Sequence, residues 1–358
     1  MPDQIGGILD FCTISNPYYP TPEMLADIQA RLPTLIKSYP SCDQSISRKH
    51  LAEVIHVDPE HLLIGNGATE FISIVCRSLI RNIGIAIPTF GDYLHKLKST
   101  RAARLYRLRA DHRYQLNLAA YLAWARNNGL KSLIVINPAN PTGQFHSLDD
   151  LREFLTSAQD MDLVIVDESF IDFAGDPVPS LLSCADAFPN LLVVRSMGKH
   201  CGVPGLRLGY CYVANRKFLD QLQKALPTWN VNTIAEYFLS LLPSTDDDYH
   251  RTRRMVIDDI RALHAGLLKI RGFTPYPSGA NFILVRMDDD AAGSGSDKGP
   301  LTATKLCDRL ARDFKIYVCD CTNKVGMDSR HVCLATQGRE KDQHLLDALG
   351  QILGRCSP

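Results

Sequence analysis

The chain has 358 residues, 45% of them hydrophobic and 22% charged, which is the composition of an ordinary globular protein large enough for two domains. Lys plus Arg and Asp plus Glu both number 39, so no net field attracts nucleic acid or an anionic membrane, and no apolar run approaches the ~20 residues of a membrane helix. The first residues lack the basic and apolar segments of a secretory signal, and the 11 Cys follow no disulfide framework, so we expect a cytoplasmic protein that binds neither nucleic acid nor membrane.

Seven short apolar segments rich in β-branched residues recur before residue 215, and helical patterns such as that over residues 148–159 lie between several of them. Each segment is almost continuously hydrophobic, as strands buried on both faces of a parallel sheet are. The alternation predicts an α/β fold with a mostly parallel, doubly wound, seven-stranded sheet, whose ligands bind at the carboxyl ends of the strands. The segments are LLIG (62–65), IGIAIP (83–88), ARLYRL (103–108), SLIVIN (132–137), LVIVDES (163–169), LLVVRS (191–196) and RLGYCYVA (207–214).

From about residue 226 the pattern changes and predicts a smaller α+β domain with antiparallel strands. We assign residues 41–225 to a large domain, and residues 1–40 together with 226–358 to a small domain. The Gly-, Ser- and Asp-rich segment 288–300 is predicted to be a mobile surface loop. The elements of this second part are a long helical stretch over 231–270, the strands ANFILVR (280–286), FKIYVCD (314–320) and RHVCLAT (330–336), and a closing helix over 341–353.

Two motifs combine a strand end with a turn that could hold a ligand. GNGATE (65–70) places Gly-rich backbone at the start of a helical pattern, where free N–H groups suit a phosphate, although a plain strand-to-helix turn has the same pattern. NPANPTG (137–143) fixes a rigid turn that directs an amide side chain toward the strand end, and a Pro-rich connecting loop is its simpler interpretation.

Two further motifs carry charged side chains at strand ends. In VDESFIDF (166–173), Asp167 ends an apolar strand, where a carboxylate is costly unless a cation pairs with it; a helix N-cap is the alternative. In SMGKHCGVPGLRLGY (196–210), Lys199 follows a buried strand, and burial would lower its pKa and make the amine nucleophilic. Arg207 could bind a phosphate through a bidentate fork, whereas a lone cation would be interpreted as a surface charge. His200 could relay protons, lie behind the site or face solvent.

Together, in this order and spacing, the four motifs resemble the signature of the class I and II aminotransferases, fold-type I enzymes that use pyridoxal 5'-phosphate (PLP), and the resemblance covers essentially the whole chain. It implies that Lys199 carries PLP as a Schiff base, that Asp167 pairs with the pyridine nitrogen, and that Asn140 hydrogen-bonds the 3'-oxygen. It also implies that the phosphate is held by Gly67, Ala68, Ser196 and Arg207.

Two aromatic residues extend the resemblance. Phe90, in PTFGDY (88–93), would stack on the cofactor ring, and Tyr39, in KSYPS (37–41), would reach the phosphate bound by a neighbouring subunit. The second assignment implies a homodimer with shared active sites. Core packing is the alternative interpretation for both rings.

Within this family the chain is most similar to threonine-phosphate decarboxylases and histidinol-phosphate aminotransferases. The segments LDFCTISNP (9–17), PTWNVN (227–232) and CTNKVGMDSR (321–330) carry the comparison with the decarboxylases. Phe170 does so too, because most aminotransferases have a Tyr there. The bond held perpendicular to the cofactor ring is the one that breaks, so the pocket that orients the substrate's carboxylate decides between decarboxylation and transamination.

The predicted substrate pocket departs from both groups of relatives. Aligned through VCLATQGREKD (332–342), Cys333, Gln337 and Cys319 stand where these relatives carry basic residues for the substrate's acidic groups. Losing one bidentate ion pair would remove roughly 2–5 kcal/mol of binding unless another group replaces it. Phosphothreonine and histidinol phosphate are therefore disfavoured as substrates. The possible replacements are Arg330, Arg339, Lys324 and His331. The candidate substrate residues are Asn16, Asn281, Cys319, Asn323, Arg330, Cys333 and Gln337.

A cluster of soft ligands is also possible near the end of the chain. Cys319 and Cys321 alternate on one predicted strand, and His331 and Cys333 on the next, so pairing of the two strands would bring four such side chains to one face. The spacing is not a common zinc pattern. Buried thiols beside a pocket are the favoured interpretation, and we predict no metal.

The leading functional hypothesis is a PLP-dependent, decarboxylase-like lyase that acts on an amino acid or related amine through Lys199. The alternatives are an aminotransferase that uses the same residues, and a cyclase or eliminase of a biosynthetic pathway. A non-catalytic ligand-binding relative is disfavoured because Lys199, Asp167, Asn140 and Arg207 are all retained.

Overall fold

The computed structural model of the protein describes residues 7–80, 82–98, 103–288 and 301–354. The strands are β1 (Leu9–Asp10), β2 (Leu62–Asn66), β3 (Ile83–Ile87), β4 (Ala103–Arg107), β5 (Ser132–Ile136), β6 (Leu163–Asp167), β7 (Leu191–Ser196), β8 (Leu208–Tyr212), β9 (Phe273–Pro275), β10 (Phe282–Met287), β11 (Ile316–Tyr317), β12 (Cys319–Asp320) and β13 (His331–Ala335). The helices are α1 (Pro22–Lys37), α2 (Ser45–Ile55), α3 (Ala68–Ile74), α4 (Gly91–Lys98), α5 (Leu118–Asn127), α6 (Leu148–Ser157), α7 (Met197–His200), α8 (Arg216–Ala225), α9 (Thr233–Leu241), α10 (Asp246–Leu267), α11 (Ala303–Phe314) and α12 (Arg339–Leu353).

Seven strands form the large sheet, in the order β2-β8-β7-β6-β5-β3-β4. Five neighbouring strands, from β7 to β4, run parallel, whereas β8 is antiparallel to both β2 and β7. All seven apolar segments predicted from the sequence are strands of this sheet. The predicted mostly parallel α/β architecture is therefore confirmed.

Helices cover both faces of the large sheet, which explains why its inner strands are hydrophobic on both sides, whereas the edge strand β4 is largely exposed. Leu133 and Val135 of β5 pack into a cluster with residues of α5 and α6, while Ile134 points into a second cluster with residues of α3 and α4. A sheet covered in this way is open to ligands chiefly at its edges and strand ends.

A second, four-stranded antiparallel sheet has the order β12-β13-β10-β9. One face packs on α10, α11 and α12 through residues such as Leu263, Leu306 and Leu349. The other face carries Phe282 and Cys333 and contacts Phe170, which follows β6 of the large sheet. The predicted smaller α+β unit is confirmed, and its inner face lies beside the carboxyl end of β6.

Two predicted elements differ in the structure. The helical stretch over 231–270 is two helices separated by a turn of 3-10 helix at Leu242–Ser244, because Pro243 lacks the N–H that a continuous helix needs. FKIYVCD divides into two short strands: β11 pairs in parallel with β1, and β12 pairs with β13. The division into two domains remains a prediction, and the loop predicted over 288–300 lies, after Asp288, outside the described residues. Within the described ranges, no helix combines the length and apolar character needed to cross a membrane.

Candidate active site

The neighbouring parallel strands β6 and β7 bring Asp167 and Lys199 to the same edge of the large sheet. Asp167, the last residue of β6, is only 4% exposed, and its carboxylate accepts hydrogen bonds from the Tyr93 hydroxyl (3.0 Å) and the Ser169 N–H (3.0 Å). Burial raises the pKa of Asp167, while these hydrogen bonds and the charge of Lys199 partly offset that rise. The residue is a buried acid that needs a positive or protonated partner.

Lys199 lies on the short helix α7, directly after β7. Its Nζ is 5.7 Å from the centre of the Phe170 ring. Burial lowers the pKa of Lys199, the charge of Arg207 lowers it further, and Asp167 acts in the opposite direction. The amine is therefore closer to its neutral, nucleophilic form than an exposed lysine would be.

A tight turn at the end of β2 lies against Arg207. Gly67 has a φ of 78°, and a Cβ on it would come within 2.7 Å of Arg207 Nη2. A Cβ on Gly209 of β8 would lie 2.2 Å from the backbone nitrogen of Ala68, so this close approach requires glycine.

The guanidinium of Arg207 contacts the Thr69 hydroxyl at 3.4 Å and the Pro204 carbonyl at 3.2 Å, and it has no carboxylate partner in the described part of the chain. Backbone N–H groups that open a helix, together with an arginine lacking a carboxylate partner, form a site suited to a phosphate. Ser196 lies beside this turn, because β7 pairs Ser196 with Gly209.

Asn140 and Phe90 occupy the strand ends next to Asp167. Asn137 is bound through its side chain to both backbone groups of His146, so it stabilises the turn after β5. Asn140 is half-buried and its amide has no hydrogen-bond partner among the residues described. Phe90 is partly buried, with its ring edge-on to Tyr93 at 6.5 Å. The amide of Asn140, not that of Asn137, is available to a ligand.

Tyr39 lies on the surface, 81% exposed, and its ring packs against Trp229 at a centroid distance of 4.9 Å. Core packing, the alternative considered for this residue, does not describe so exposed a ring. Its role toward a neighbouring subunit remains a prediction.

The predicted substrate residues fall mainly on the inner face of the small sheet and the segment that follows β1. Cys319 lies directly opposite Cys333 in the β12–β13 ladder. Asn281 is fully buried and donates to the Ser15 carbonyl (3.3 Å), while its Oδ1 has no partner. Asn16 is also buried, and its backbone N–H donates to the Lys199 carbonyl (2.8 Å). The Asn16 contact holds the segment that follows β1 against Lys199.

The remaining substrate candidates are partly occupied by other contacts. Gln337 donates to the Thr13 carbonyl (2.7 Å), and the guanidinium of Arg330 binds Asp328 (3.1 Å). Asn323 is exposed on the turn after Cys321. Their roles toward a substrate remain predictions.

The cations considered as replacements for the missing arginines differ in their partners. His331 also contacts Asp328 (2.8 Å), and Arg339 pairs with Asp259 (3.4 Å). Lys324 is half-buried and forms no ion pair in the described ranges, and its charge lowers the pKa values of Cys319 and Cys333 below what burial and hydrogen bonding alone would set. Lys324 is thus the replacement whose charge is not already neutralised.

Sequence reasoning missed several residues that shape the site. Tyr93 lies in the first turn of α4, three positions after Phe90 in the same PTFGDY segment, and its place in that segment could have identified it. Asp172, within the third motif, is a buried acid that pairs with Arg195 and accepts from Tyr249 (2.5 Å). His200 is buried beside this group and burial lowers its pKa to about 4, so of the three alternatives given for it only the solvent-facing one is wrong.

The seven-stranded mixed sheet, the smaller antiparallel sheet and the Lys199–Asp167 site at the strand ends define a fold-type I enzyme. The chain belongs to the aminotransferase class I and II family, whose sequence model matches residues 8–349. The resemblance inferred from the four motifs is therefore confirmed.

Individual relatives include both decarboxylases and aminotransferases. The chain is 32% identical to an L-serine phosphate decarboxylase of Campylobacter jejuni, over 95% of this chain and 87% of that protein. It is 29% identical to a histidinol-phosphate aminotransferase of Pseudomonas fluorescens, over 95% of this chain and 91% of that protein. The solved structure of a decarboxylase from Sulfurospirillum multivorans superimposes with a TM-score of 0.86 at 29% identity, covering 96% of this chain and 88% of that one.

Proposed function

We propose that the chain uses PLP, held by Lys199, to remove the carboxyl group of a small amino acid with an acidic end. The observation that carries the proposal is the arrangement of a lysine with a lowered pKa and a buried acid on adjacent strand ends. When bound, PLP supplies a ring that accepts the electron pair left by a bond breaking at the substrate's Cα.

The residues present fit this cofactor. The amine of Lys199 suits its aldehyde carbon, the Asp167 carboxylate would hold a proton at its ring nitrogen, and Asn140 offers an amide to its 3'-oxygen. Arg207 and the N–H groups after Gly67 suit its phosphate, in a turn that a Cβ at Gly67 or Gly209 would obstruct. Lys199 would also hold the proton that returns to the substrate's Cα.

Decarboxylation is favoured over transamination by kinship with the Campylobacter jejuni and Sulfurospirillum multivorans proteins. O-phosphoserine is accordingly the first substrate to test. Transamination is the second candidate, supported by the similarity to the Pseudomonas fluorescens aminotransferase.

The cofactor and reaction can be tested together. Purified protein should show a visible absorbance band with PLP, and Lys199→Ala should abolish it. The protein should then be incubated with O-phosphoserine, O-phosphothreonine and other amino acids, each with and without a 2-oxo acid, and the products recorded by mass spectrometry. We expect CO2 and the corresponding amine to form even when the oxo acid is absent. Strict dependence on the oxo acid would establish the aminotransferase instead, and a protein that takes up no PLP would refute the proposal.

Lys324 is proposed to bind the substrate's acidic end in place of the family's arginines. Lys324 is a half-buried residue with no acidic partner in the part of the chain described. Lys324→Gln should therefore raise KM for the phosphorylated substrate by about tenfold, with a smaller change in kcat; this corresponds to a little less than the 2–5 kcal/mol of a buried ion pair. Lys305→Gln, on α11, is the matched control and should leave KM unchanged. An unaltered KM in Lys324→Gln would exclude the role.

A homodimer is proposed from the exposed apolar residues beside Tyr39. Ile36 on α1 is 68% exposed, Tyr39 81% and Trp229 48%. The Tyr39 and Trp229 rings contact each other, and exposed apolar residues of this kind are typical of an interface. The protein is also proposed to work in the cytoplasm, where its free cysteines would remain reduced.

A further inference from the structure

Four cysteines gather on the inner side of the small sheet: Cys12, Cys319, Cys321 and Cys333, here called the thiol cluster. Cys319 and Cys333 are directly opposed in the β12–β13 ladder. Cys321 follows β12 by one residue, and its N–H donates to the His331 carbonyl (3.1 Å). The sequence pattern had indicated these positions, but it gave no reason to include Cys12, more than 300 residues away.

The parallel pairing of β1 with β11 brings Cys12 to Cys319. Leu9 is level with Ile316 and Asp10 with Tyr317, and the hydrogen bond from the Phe11 N–H to the Tyr317 carbonyl (2.8 Å) continues this register. Cys12 is therefore level with Cys319. Neighbouring strands lie about 4.8 Å apart, within the Cα separation of about 4.4–6.8 Å that a disulfide spans. The i, i+2 pair Cys319–Cys321 would be about 6.6 Å apart along a strand, at the upper end of that range.

The four thiols are not chemically equivalent. The neighbouring Cys12 and Cys321 thiols, and the charge of Lys324, lower the pKa of Cys319, and the Cys321 thiol also lies 3.8 Å from the Cys319 carbonyl oxygen. The interaction with Cys319, together with burial, raises the pKa of Cys12, and burial raises that of Cys333. Cys12 and Cys319 are each partly exposed, whereas Cys321 and Cys333 are buried. Cys319, the thiol whose pKa is lowered, thus has the partly exposed Cys12 as its neighbour.

A bound metal is the other chemistry that four thiols could serve. In the described ranges, no group of three or more His, Cys, Asp or Glu side chains is arranged to hold a metal ion. The geometry favours a pair of reacting thiols over a coordination site.

We propose that Cys319 and Cys12 form a peroxide-sensitive thiol pair that closes to a reversible disulfide at the edge of the substrate pocket. The Cys319 thiolate attacks one oxygen of hydrogen peroxide, forming a sulfenic acid and releasing hydroxide, which takes a proton to become water. The Cys12 sulfur then attacks the Cys319 sulfur, and the leaving oxygen departs as a second water. Two thiols and one peroxide give one disulfide and two waters, and a dithiol reductant, itself oxidised to a disulfide, restores the two thiols.

The disulfide would restrain the segment that leads from Cys12 to Asn16. In that segment, the Asn16 N–H donates to the Lys199 carbonyl. The Asn16 side chain donates to the His200 carbonyl (3.2 Å). The thiol chemistry itself does not depend on the proposed cofactor or substrate.

The test is peptide mapping of the intact protein after treatment with equimolar hydrogen peroxide. We expect a peptide pair linked through Cys12 and Cys319 that disappears with dithiothreitol. Iodoacetamide at pH 6 should label Cys319 at least about tenfold faster than the exposed Cys42, because only a thiolate reacts appreciably there. In Cys12→Ser the linked pair should vanish and dimedone should trap a sulfenic acid at Cys319, whereas Cys42→Ser and Cys321→Ser should retain the link.

Three results would overturn the inference. One is a Cys319–Cys321 link in place of the Cys12–Cys319 link, and another is faster labelling of Cys42 than of Cys319. The third is stoichiometric metal in the purified protein that is released by thiol reagents. Because mass, not turnover, is measured, these outcomes are independent of whether the proposed decarboxylase activity is found.

Discussion

Asp167 is buried at the end of β6, where ionisation is opposed by desolvation and supported by the hydrogen bonds of Tyr93 and Ser169. Asp167→Asn keeps the shape of the side chain and removes its charge, so it should lower kcat by about 10²–10³-fold, as loss of one preorganised electrostatic contact does. Tyr93→Phe removes only one supporting hydrogen bond and should cost about tenfold. Steady-state kinetics with PLP occupancy checked by absorbance would measure both, and unchanged turnover in Asp167→Asn would contradict the role assigned to it.

Lys199 should react with aldehydes at lower pH than an ordinary lysine. Its pKa is lowered by burial and by Arg207, so the neutral amine is populated as the pH rises through a value below the usual ~10.4 of lysine. Arg207→Gln removes one positive charge and should move the midpoint of this pH profile upward, while Arg207→Lys keeps the charge and should not.

The measurement is the rate of visible absorbance change when cofactor-free protein is mixed with pyridoxal at a series of pH values. Pyridoxal has no phosphate, so loss of the phosphate contact in the Arg207 variants does not affect the comparison. A midpoint that stays fixed in Arg207→Gln, or moves downward, would show that Arg207 does not lower the pKa of Lys199.

At the scale of elements, β8 sets how closely the turn after β2 approaches the site. Gly209→Ala would place a Cβ 2.2 Å from the Ala68 nitrogen, so the turn must move. We expect PLP affinity to fall by roughly 5- to 150-fold, the equivalent of the 1–3 kcal/mol typical of overpacking. Gly205→Ala, which meets nothing within 4 Å, is the control, and both can be compared by spectral titration and thermal unfolding. Equal PLP affinity in the two variants would show that the turn after β2 does not contribute to PLP binding.

At the scale of the whole molecule, the sequence predicted the large sheet and its charged edge far better than the substrate pocket. Asp167 and Lys199 could be placed because both follow buried parallel strands, whose carboxyl ends meet at one edge. Cys12 could not, because its position opposite Cys319 depends on the pairing of two-residue strands from opposite ends of the chain. Asn16 was a candidate substrate residue, a role that remains a prediction, and its contacts with the backbone of Lys199 and His200 depend on tertiary packing that no local pattern reports.

Shared active sites are a prediction about two subunits, and they can be tested without a structure of the dimer. Tyr39→Ala should weaken PLP binding at the neighbour's site, and Lys199→Ala should inactivate its own. If Tyr39 acts across the interface, a dimer of one subunit of each variant contains one site with both native residues and one site with neither. Random exchange of subunits in an equal mixture makes half of the dimers hybrid, so about a quarter of wild-type activity should return.

The two variants should each be purified, mixed in equal amounts under conditions that exchange subunits, and assayed against each variant alone, with light scattering to establish the dimer. Recovery to about a quarter of wild-type activity requires Tyr39 to act in the partner subunit, because a Tyr39 that acted within its own chain would leave every hybrid site with one defect. Such a result would also explain why the Tyr39–Trp229 pair is exposed, because the Tyr39 ring, 81% exposed in one subunit, would be buried against the other subunit. A mixture no more active than Tyr39→Ala alone, or a protein that remains monomeric, would exclude a site shared through Tyr39.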